Sequence, residues 1–318
     1  MNKILITGGA GFLGSHLADA FIARGDEVIV LDNFISGSRD NIKHFMDNPN
    51  FTLIEHDVSQ PLAISHKLSA IYHFASPASP NPKSSISYMA HPIKTLMVNS
   101  IGTQHMLELA TKNDCPIILA STSEVYGDPV VHPQTEDYNG NVSPNGIRSC
   151  YDEGKRYMEA ISFAYHRKHG TKIKVIRIFN TYGPRMILDE GRLIPALVNS
   201  HLTGKVFYQH GDGSASRSFC YVDDLIKGII AIGDTSDSIG QVINLGNPDE
   251  YTIKETIGVI EDLTGNKINL EVINPLPDDP KRRRPDITKA RNLLNWKPAI
   301  SLRDGLELMV NSYGKVKS

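Results

Sequence analysis

The chain lacks the cysteine patterns that mark metal-binding and disulfide-rich proteins. Its 318 residues include three cysteines, Cys115, Cys150 and Cys220, which lie far apart in the sequence. This spacing fits neither a set of zinc ligands nor a disulfide framework, and it is typical of a protein kept in a reducing compartment. We therefore expect no metal site and a cytoplasmic location.

An excess of charge and a long apolar run are also missing. The chain has 33 basic and 35 acidic side chains, which gives a formal net charge of −2. This balance excludes the strongly basic surface that is typical of nucleic-acid-binding proteins. No apolar run is long enough to cross a membrane, and the apolar N-terminus is interrupted at Thr7, too early for a signal peptide. We expect neither a nucleic acid nor a membrane as a partner.

What the chain does contain is an alternation of short apolar segments with amphipathic ones. It is 40% hydrophobic and 21% charged, and it is long enough for one large domain or two closely joined ones. Short apolar runs separated by helical segments are typical of buried parallel strands. The pattern predicts an α/β fold with a Rossmann doubly wound parallel sheet. The predicted strands lie at 3–7, 28–31, 51–55, 70–74, 116–120 and 172–178.

The first predicted strand runs directly into a glycine-rich turn. An amphipathic helix follows as far as about Arg24, and the second apolar run ends in Asp32. A strand, a glycine turn, a helix, a second strand and a terminal acid within about thirty residues form a dinucleotide-binding unit. The sequence therefore predicts a dinucleotide cofactor at the start of this helix.

Each glycine of the turn has a physical role in that unit, although the spacing is GxxGxxG. Gly8 allows the tight turn, Gly11 admits a pyrophosphate close to the backbone, and Gly14 lets the helix pack closely on the strand. The helix N-terminus presents amides and a positive dipole to the phosphates. Asp32 would accept hydrogen bonds from a ribose 2′-hydroxyl and repel a 2′-phosphate, so the predicted cofactor is NAD.

Polar residues follow the later strands. Asp57 comes after the third strand, where it would meet the adenine amine or cap a turn. Two prolines exclude a helix from the segment 75–80. A helix predicted over 92–112 carries Asn99, which either satisfies a kink in that helix or has a catalytic-water or backbone role. The fifth strand ends in the polar run 121–127. Because ligands bind outside the carboxyl ends of parallel strands, these residues are candidates for the binding crevice.

Tyr151 and Lys155 form the strongest candidate for catalysis. Residues four apart lie on one face of a helix. A phenol titrates near pH ~10, and a close ammonium lowers its pKa and brings phenolate chemistry within reach. The spacing alone also fits an ordinary amphipathic helix, so the choice between a catalytic pair and an ordinary helix depends on the other motifs of the sequence.

The character of the sequence changes after Asn180, where short turn-rich segments replace the regular alternation. We predict a Rossmann domain for NAD at 1–179, with returns near 219–246, and a smaller, interleaved C-terminal substrate domain that makes up most of 180–318. Cys150 and Trp296 are expected to pack in the interior.

Together, these motifs resemble the extended short-chain dehydrogenase/reductases that modify nucleotide sugars. The shared features are the glycine turn, the acid at the end of the second strand, the polar run after the fifth strand and the Tyr-x-x-x-Lys pair. Within that family the chain is most similar to the UDP-glucuronate decarboxylases, or UDP-xylose synthases. The likeness covers essentially the whole chain and is most specific in the runs 75–80, 122–129, 150–156, 177–186 and 284–287.

The resemblance implies a reaction and a set of roles. UDP-glucuronate would be oxidised at C4, lose CO₂ as a β-keto acid and be reduced again to UDP-xylose. Tyr151 would be the acid/base on the 4′-hydroxyl, and Lys155 would hold the nicotinamide ribose and lower the Tyr151 pKa. Thr122 would bind the same hydroxyl, whereas Ser123 and Glu124 would face C5 and the carboxylate.

The resemblance also implies the binding residues and a homodimer that pairs helices 92–112 and 151–169. The substrate would be a UDP-sugar, with a nucleotide-sugar-binding C-terminal domain. The cofactor site would comprise Gly8, Gly11, Phe12, Leu13, Gly14, Asp32, Asn33, Asp57, Val58, Ala75, Asn99, Tyr151 and Lys155. The substrate site would comprise Asn180, Arg192, Val206, Tyr208, Arg217 and Arg283.

One segment departs from the decarboxylase pattern. Between Pro80 and His91 the chain is longer than the typical decarboxylase, in a loop that lies near the substrate sugar in that family. A nucleotide-sugar 4-epimerase, such as a UDP-glucuronate 4-epimerase, or a 4,6-dehydratase therefore stays open, as does a non-catalytic NAD(H) sensor. Glu124 favours a decarboxylase or a dehydratase over a simple 4-epimerase, because chemistry at C5 needs a second acid/base and simple 4-epimerisation does not. If these residues have no role in the reaction, Glu124 is an exposed carboxylate at a turn, and Arg217 and Arg283 form surface ion pairs.

Overall fold

The chain folds into alternating strands and helices, in a computed structural model that describes residues 1–189, 191–274 and 282–314. The strands are β1 (Lys3–Thr7), β2 (Glu27–Asp32), β3 (Phe51–Glu55), β4 (Ala70–His73), β5 (Ile117–Thr122), β6 (Ile173–Ile178), β7 (Thr181–Tyr182), β8 (Phe207–His210), β9 (Ser216–Ser218), β10 (Cys220–Tyr221), β11 (Val242–Leu245), β12 (Glu250–Thr252) and β13 (Leu270–Ile273). The helices are α1 (Phe12–Ala23), α2 (Pro92–Met97), α3 (Thr103–Asn113), α4 (Ser149–His169), α5 (Leu193–Thr203), α6 (Val222–Asp234), α7 (Ile253–Thr264), α8 (Thr288–Leu294) and α9 (Leu302–Gly314).

Seven of the strands form a central parallel sheet in the order β11-β6-β5-β4-β1-β2-β3. The strand order reverses direction beside β1, because β2 lies on one side of it and β4 on the other. Such a switch point opens a crevice at the carboxyl ends of the strands. The predicted Rossmann sheet is confirmed, and each of the six predicted strands is present with bounds that differ by no more than two residues at either end.

The sheet is buried on both faces, which explains why its strands read as continuous apolar runs. Helices α1 and α6 pack against one face, whereas α3 and α4 cover the other. β1, β4 and β5 are almost entirely buried, as parallel strands between two helical layers must be. Two separate apolar clusters, one on each side of the sheet, hold the layers together.

The long helix predicted over 92–112 is interrupted. Between α2 and α3 the chain makes a π turn at Val98–Gly102, which contains the fully buried Asn99. The Thr103 hydroxyl donates to the Asn99 carbonyl over 2.9 Å. Single π turns of this kind are frequent at functional sites.

The C-terminal part returns to the sheet and also builds small sheets of its own. β11 pairs with β6 at one edge of the central sheet, and α6 packs against α1. Three two-stranded sheets pair β7 with β10, β8 with β13 and β9 with β12, and residues of β7, β8, β9 and β13 line the crevice. Trp296 is buried, and its indole donates to the Asp224 carbonyl over 2.9 Å. None of the described helices has both the length and the apolarity to cross a membrane.

Candidate active site

A cleft of about 1970 Å³ runs along the carboxyl ends of the strands toward β8. Among the residues predicted from the sequence, every one except Asn99 lines this cleft. The glycine turn and Asp32 lie in the same cleft as Tyr151, Glu124 and the predicted substrate residues. The fold thus brings together residues that are up to 275 positions apart, from Gly8 to Arg283.

The glycine turn is packed so closely that side chains are excluded at two positions. Gly8 has a φ of +72°, in the left-handed region that favours glycine. A Cβ atom on Gly14 would lie 2.1 Å from the Gly8 carbonyl oxygen. α1 then begins at Phe12 without a side-chain cap at Gly11. Uncapped amides at a helix start, next to a turn that admits no side chain, fit a dinucleotide pyrophosphate.

Asp32 links the end of β2 to this turn. Its carboxylate accepts hydrogen bonds from the Ala10 amide over 2.9 Å and from the Phe34 amide over 2.8 Å. Burial raises the Asp32 pKa, although these amides partly oppose the effect. A carboxylate has more acceptor sites than these two bonds use, so Asp32 can still accept a bond from a ribose hydroxyl.

Asp57 caps a turn, which was one of its two sequence interpretations. Its carboxylate accepts hydrogen bonds from the Ser59 amide and hydroxyl over 2.9 and 2.7 Å and from the Asn33 side chain over 3.2 Å. Partial burial works against ionisation, yet these hydrogen bonds leave the Asp57 pKa lowered. The proposed contact with adenine stays a prediction.

Tyr151 and Thr122 meet at the carboxyl end of β5. The Thr122 side chain lies close enough to the Tyr151 hydroxyl to lower its pKa, and Thr122 Oγ1 accepts from the Glu124 amide over 3.2 Å. Because the Thr122 oxygen accepts from that amide, its own hydrogen is available for the Tyr151 oxygen. Lys155 lies one turn along α4, with Nζ 5.8 Å from the centre of the Tyr151 ring.

The effect of Lys155 on the Tyr151 pKa stays a prediction, because burial is the largest influence on the phenol. Burial raises the pKa of Tyr151 to about 12, and the Thr122 hydrogen bond opposes this only in part. Lys155 is itself buried, and burial lowers its pKa to about 7. Its Nζ donates to the Ala120 carbonyl over 2.8 Å. The Lys155 side chain is therefore bonded to a backbone oxygen, and its hydrogen bond does not reach the phenol.

Tyr88 covers one face of Tyr151, a contact that the sequence analysis missed. The two rings stack with centroids 4.9 Å apart and planes 11° apart. The Tyr88 amide donates to the Ser79 carbonyl over 3.2 Å, and the Cys150 thiol donates to the Tyr88 carbonyl over 3.6 Å. The segment that departs from the decarboxylase pattern therefore places a buried aromatic ring against the candidate catalytic tyrosine, and Cys150 packs there as expected.

Glu124 is held by two arginines. Arg283 donates to both carboxylate oxygens over 2.5 and 3.0 Å, and Arg148 donates to one of them over 2.5 Å. Burial opposes ionisation, but the two cations prevail and lower the Glu124 pKa to about 2. An exposed carboxylate for Glu124 and a surface ion pair for Arg283 are thus both excluded. Arg148, three residues before Tyr151, was missed because its partner lies 24 residues away.

Asn99 lies behind the cleft, in the π turn. Its side-chain amide donates to the Ser76 hydroxyl over 3.0 Å and to the Thr95 carbonyl over 2.8 Å. Its Oδ1 atom is buried and has no hydrogen-bond partner among the described residues. An unpaired buried oxygen of this kind fits an acceptor for an ordered water or a cofactor amide.

The predicted substrate residues line the part of the cleft formed by the C-terminal segments. Arg192 donates to the Ala78 carbonyl over 2.7 Å, and Arg217 donates to the Ser216 carbonyl over 2.8 Å. Tyr208 is 53% exposed on β8, and Val206 is 37% exposed just before it. Asn180 lies between β6 and β7 and lines the same cleft. Cations next to an exposed ring suit a nucleotide diphosphate.

Comparison with known proteins agrees with this geometry. The family described as GDP-mannose 4,6 dehydratase matches residues 5–309. UDP-glucuronic acid decarboxylase 5 of Arabidopsis thaliana is 47% identical over 98% of this chain and 89% of its own length. UDP-glucuronic acid decarboxylase 1 of Danio rerio is 46% identical over 98% of this chain and 73% of its own. A UDP-glucuronic acid 4-epimerase from Bacillus cereus, solved with UDP-glucuronic acid and NAD, superimposes with a TM-score of 0.87 at 30% identity and covers 99% of both chains.

Proposed function

The chain belongs to the GDP-mannose 4,6 dehydratase family, and we propose that it converts UDP-glucuronate to UDP-xylose and CO₂ with NAD as a resident cofactor. The observation that carries the proposal is the pair Arg148 and Arg283, which bind Glu124 in the same cleft as Tyr151 and Thr122. A uronic acid carries its carboxylate on C5, and a decarboxylase must break the bond between C5 and this carboxylate. Decarboxylases at 46% and 47% identity over 98% of the chain support the same reaction.

The residues of the N-terminal half would hold the cofactor. Gly8, Gly11 and Gly14 would admit the pyrophosphate, and the amides of Phe12 and Leu13 at the start of α1 would bind it. The adenosine and nicotinamide halves would lie along the remaining cleft residues, with Asn99 behind them; the residues of the cleft are Asp32, Asn33, Asp57, Val58, Ala75, Tyr151 and Lys155. When bound, NAD supplies the hydride acceptor and donor for sugar C4.

Tyr151 would accept and later return the proton of the 4′-hydroxyl, with Thr122 beside it. As C4 is oxidised, this proton passes to the Tyr151 oxygen, and the Thr122 hydroxyl stabilises that oxygen while it is charged. Because burial makes Tyr151 a weak acid, the proton stays on the phenol while the substrate is a ketone. It returns to the oxygen when C4 is reduced.

Arg148, Arg283, Ser123 and Glu124 would act at C5. The 4-ketone is β to the carboxylate, so the electron pair of the breaking C–C bond passes into an enolate as CO₂ leaves. The protonated Tyr151 would stabilise the enolate oxygen by donating a hydrogen bond. The arginines would orient the carboxylate, while Glu124, held ionised between them, fixes both side chains.

We further propose that the two domains bind different ligands and that the protein forms a homodimer. The described parts of 180–318 would mainly bind the nucleotide sugar, with Asn180, Arg192, Val206, Tyr208 and Arg217 along the UDP moiety. The homodimer would pair α2, α3 and α4 with their copies, because α2 carries apolar side chains that are open to solvent. The cytoplasmic location remains a proposal based on three buried free cysteines.

Incubation of the pure protein with UDP-glucuronate tests the reaction directly. We expect release of CO₂ and formation of UDP-xylose without added NADH, because the cofactor is regenerated in each turnover. Formation of UDP-galacturonate without CO₂ would replace the proposal with 4-epimerisation.

A further inference from the structure

Four charged side chains, here called the charge row, lie side by side next to Tyr151. Arg148 connects two acids, with Nη2 2.5 Å from a Glu124 oxygen and Nε 3.8 Å from Asp152 Oδ2. Arg283 completes the row on the other side of Glu124. The signs therefore alternate along Asp152, Arg148, Glu124 and Arg283, and the formal charges sum to zero. All four side chains are less than one-third exposed.

Asp152 is the least firmly held member of the row. Its contact with Arg148 is longer than a hydrogen bond, and its Oδ1 atom is buried without a hydrogen-bond partner among the described residues. The residue as a whole is 7% exposed. Burial, together with the negative charge of Glu124, raises the Asp152 pKa to about 7, whereas the Glu124 pKa is about 2. A proton that enters the row therefore goes to Asp152.

The groups around Asp152 offer no spare positive charge for a third anion. Glu124 faces it from the turn after β5, and Arg283 faces it from the segment that begins at residue 282. Glu153 faces it from its own helix, Arg148 from the position just before that helix, and the Tyr88 phenol from the segment before α2. Both arginines already bind Glu124. A second carboxylate at these arginines would give the row an excess of one negative charge, which buried sites disfavour.

This inference rests on the proposed function, which brings such a carboxylate to the row. We propose that Asp152 takes up one proton when the carboxylate of the uronic acid binds, and that it releases the proton after the carboxylate has left as CO₂. The row is then neutral before, during and after the presence of the substrate carboxylate. Asp152 does not line the cleft and acts through Arg148, so it is a positioning residue.

The proton count of the reaction is consistent with this proposal. When the bond between C5 and the carboxylate breaks, its electron pair remains with the sugar as an enolate, and CO₂ leaves without charge. A new C5–H bond then requires one proton, so each turnover consumes one. Asp152 returns its proton to solvent once CO₂ has left, so its uptake and release cancel over the cycle, and the net consumption stays at the one proton that C5 gains.

Calorimetry of ligand binding tests the proposal. The titrations use a Tyr151→Phe parent, which is not expected to turn over, at about pH 8 in two buffers with different ionisation enthalpies. We expect close to one proton taken up per UDP-glucuronate, no uptake with UDP-glucose, and no uptake with UDP-glucuronate when Asp152→Asn is added. Absence of uptake in the parent, or unchanged uptake in the double variant, would overturn the proposal.

Glu153→Gln is the matched control. Glu153 is the next residue on α4, is 36% exposed and pairs with Arg156 over 3.5 Å, so its removal should leave proton uptake unchanged. A loss equal to that in Asp152→Asn would contradict the assignment. Between about pH 8 and pH 9, affinity for UDP-glucuronate should fall about tenfold in the parent and less than about twofold in the Asp152→Asn variant.

The proposed function and this inference can fail separately. A wild-type protein that releases CO₂, combined with a parent that takes up no proton, would overturn only the role of Asp152. A wild-type protein that releases no CO₂ from UDP-glucuronate would overturn the proposed function, whatever the calorimetry shows. Because the parent alone gives a decisive result, the test does not depend on the folding of the Asp152→Asn variant.

Discussion

Tyr151 has surroundings that keep its phenol protonated. Burial raises its pKa to about 12, and the stacked Tyr88 ring keeps water from one face. Thr122 donates the hydrogen bond that works in the opposite direction. Tyr151 can accept the proton of a bound hydroxyl only after it has lost its own proton, and its high pKa then holds the transferred proton until the substrate oxygen is reduced again.

Tyr151→Phe should lose hydride transfer while still binding NAD. The substitution removes the proton acceptor but leaves the glycine turn and Asp32 unchanged, so we expect a loss of about 10²- to 10⁴-fold in turnover. Reduction of the bound nicotinamide by UDP-glucuronate, followed by absorbance, measures the effect. Tyr157→Phe, on the same helix at a position that is 49% exposed, is the control and should react normally.

Glu124→Gln should impair the steps at C5 more than the oxidation at C4. The amide cannot neutralise Arg148 and Arg283, so the substrate carboxylate would be bound too tightly in place of Glu124 and would leave slowly. We expect CO₂ release to fall by about 10²-fold or more, while reduced nicotinamide accumulates in the first turnover. Turnover at the wild-type rate would remove the reason for assigning Glu124 to the reaction.

The sequence predicted the residues whose roles depend on local patterns, and it missed those that depend on distant partners. Gly8, Gly14 and the Tyr151–Lys155 spacing belong to short motifs, and each lies in the cleft as expected. The ion pair between Glu124 and Arg283 joins residues 159 positions apart. No local pattern shows that Arg283 would bind an acid of the protein, and none shows that Tyr88 would stack on Tyr151.

Among the elements, α1 and the turn before it have the strictest steric requirement. A Cβ atom on Gly14 would meet the Gly8 carbonyl at 2.1 Å and the Gly9 Cα at 2.7 Å. Both neighbours are backbone atoms, so the helix can accommodate a side chain only by moving away from β1.

Gly14→Ala should therefore abolish NAD binding. The shifted helix would no longer present its first amides to a pyrophosphate, and we expect affinity for NAD to fall by at least about 10²-fold. Gly258→Ala is a matched control, since nothing lies within 4 Å of the added Cβ on α7. The control should bind NAD normally and be more stable by up to about 1 kcal/mol, as expected for alanine in a helix; equal loss of binding in both variants would contradict the role of the turn.

The π turn between α2 and α3 is a feature that the sequence pattern did not predict. The segment 92–112 has helical character throughout, so the sequence predicts one helix. In this turn the buried Asn99 side chain donates to the Thr95 carbonyl and to the Ser76 hydroxyl, and the contact with Ser76 exists only after the loop at 75–80 has docked.

In the whole molecule, α2 exposes more apolar surface than a solvent-facing helix needs. Ile93 is 72% exposed, and Leu96 and Met97 are each 41% exposed on the same face. α2 packs against α4, which carries the half-exposed Tyr157. An apolar face of this kind is typical of a protein–protein interface, and a second copy of the chain would cover it.

Ile93→Asp should convert the proposed homodimer into a monomer. A charge at the centre of an apolar interface loses its hydration without gaining a partner. Light scattering after size-exclusion chromatography gives the mass directly. Val130→Asp, at a position that is 82% exposed and outside the helices, is the control and should remain dimeric; a wild-type chain that is monomeric would refute the dimer.

The central claim is that one site oxidises C4, frees CO₂ and reduces the same carbon again. Turnover of UDP-glucuronate deuterated at C4, in ordinary water, tests it most directly, with a second reaction of unlabelled substrate in heavy water. The account predicts UDP-xylose that keeps the C4 deuterium in the first case and gains one solvent deuterium at C5 in the second. Loss of the C4 label to solvent, or a product that keeps its carboxylate, would contradict it.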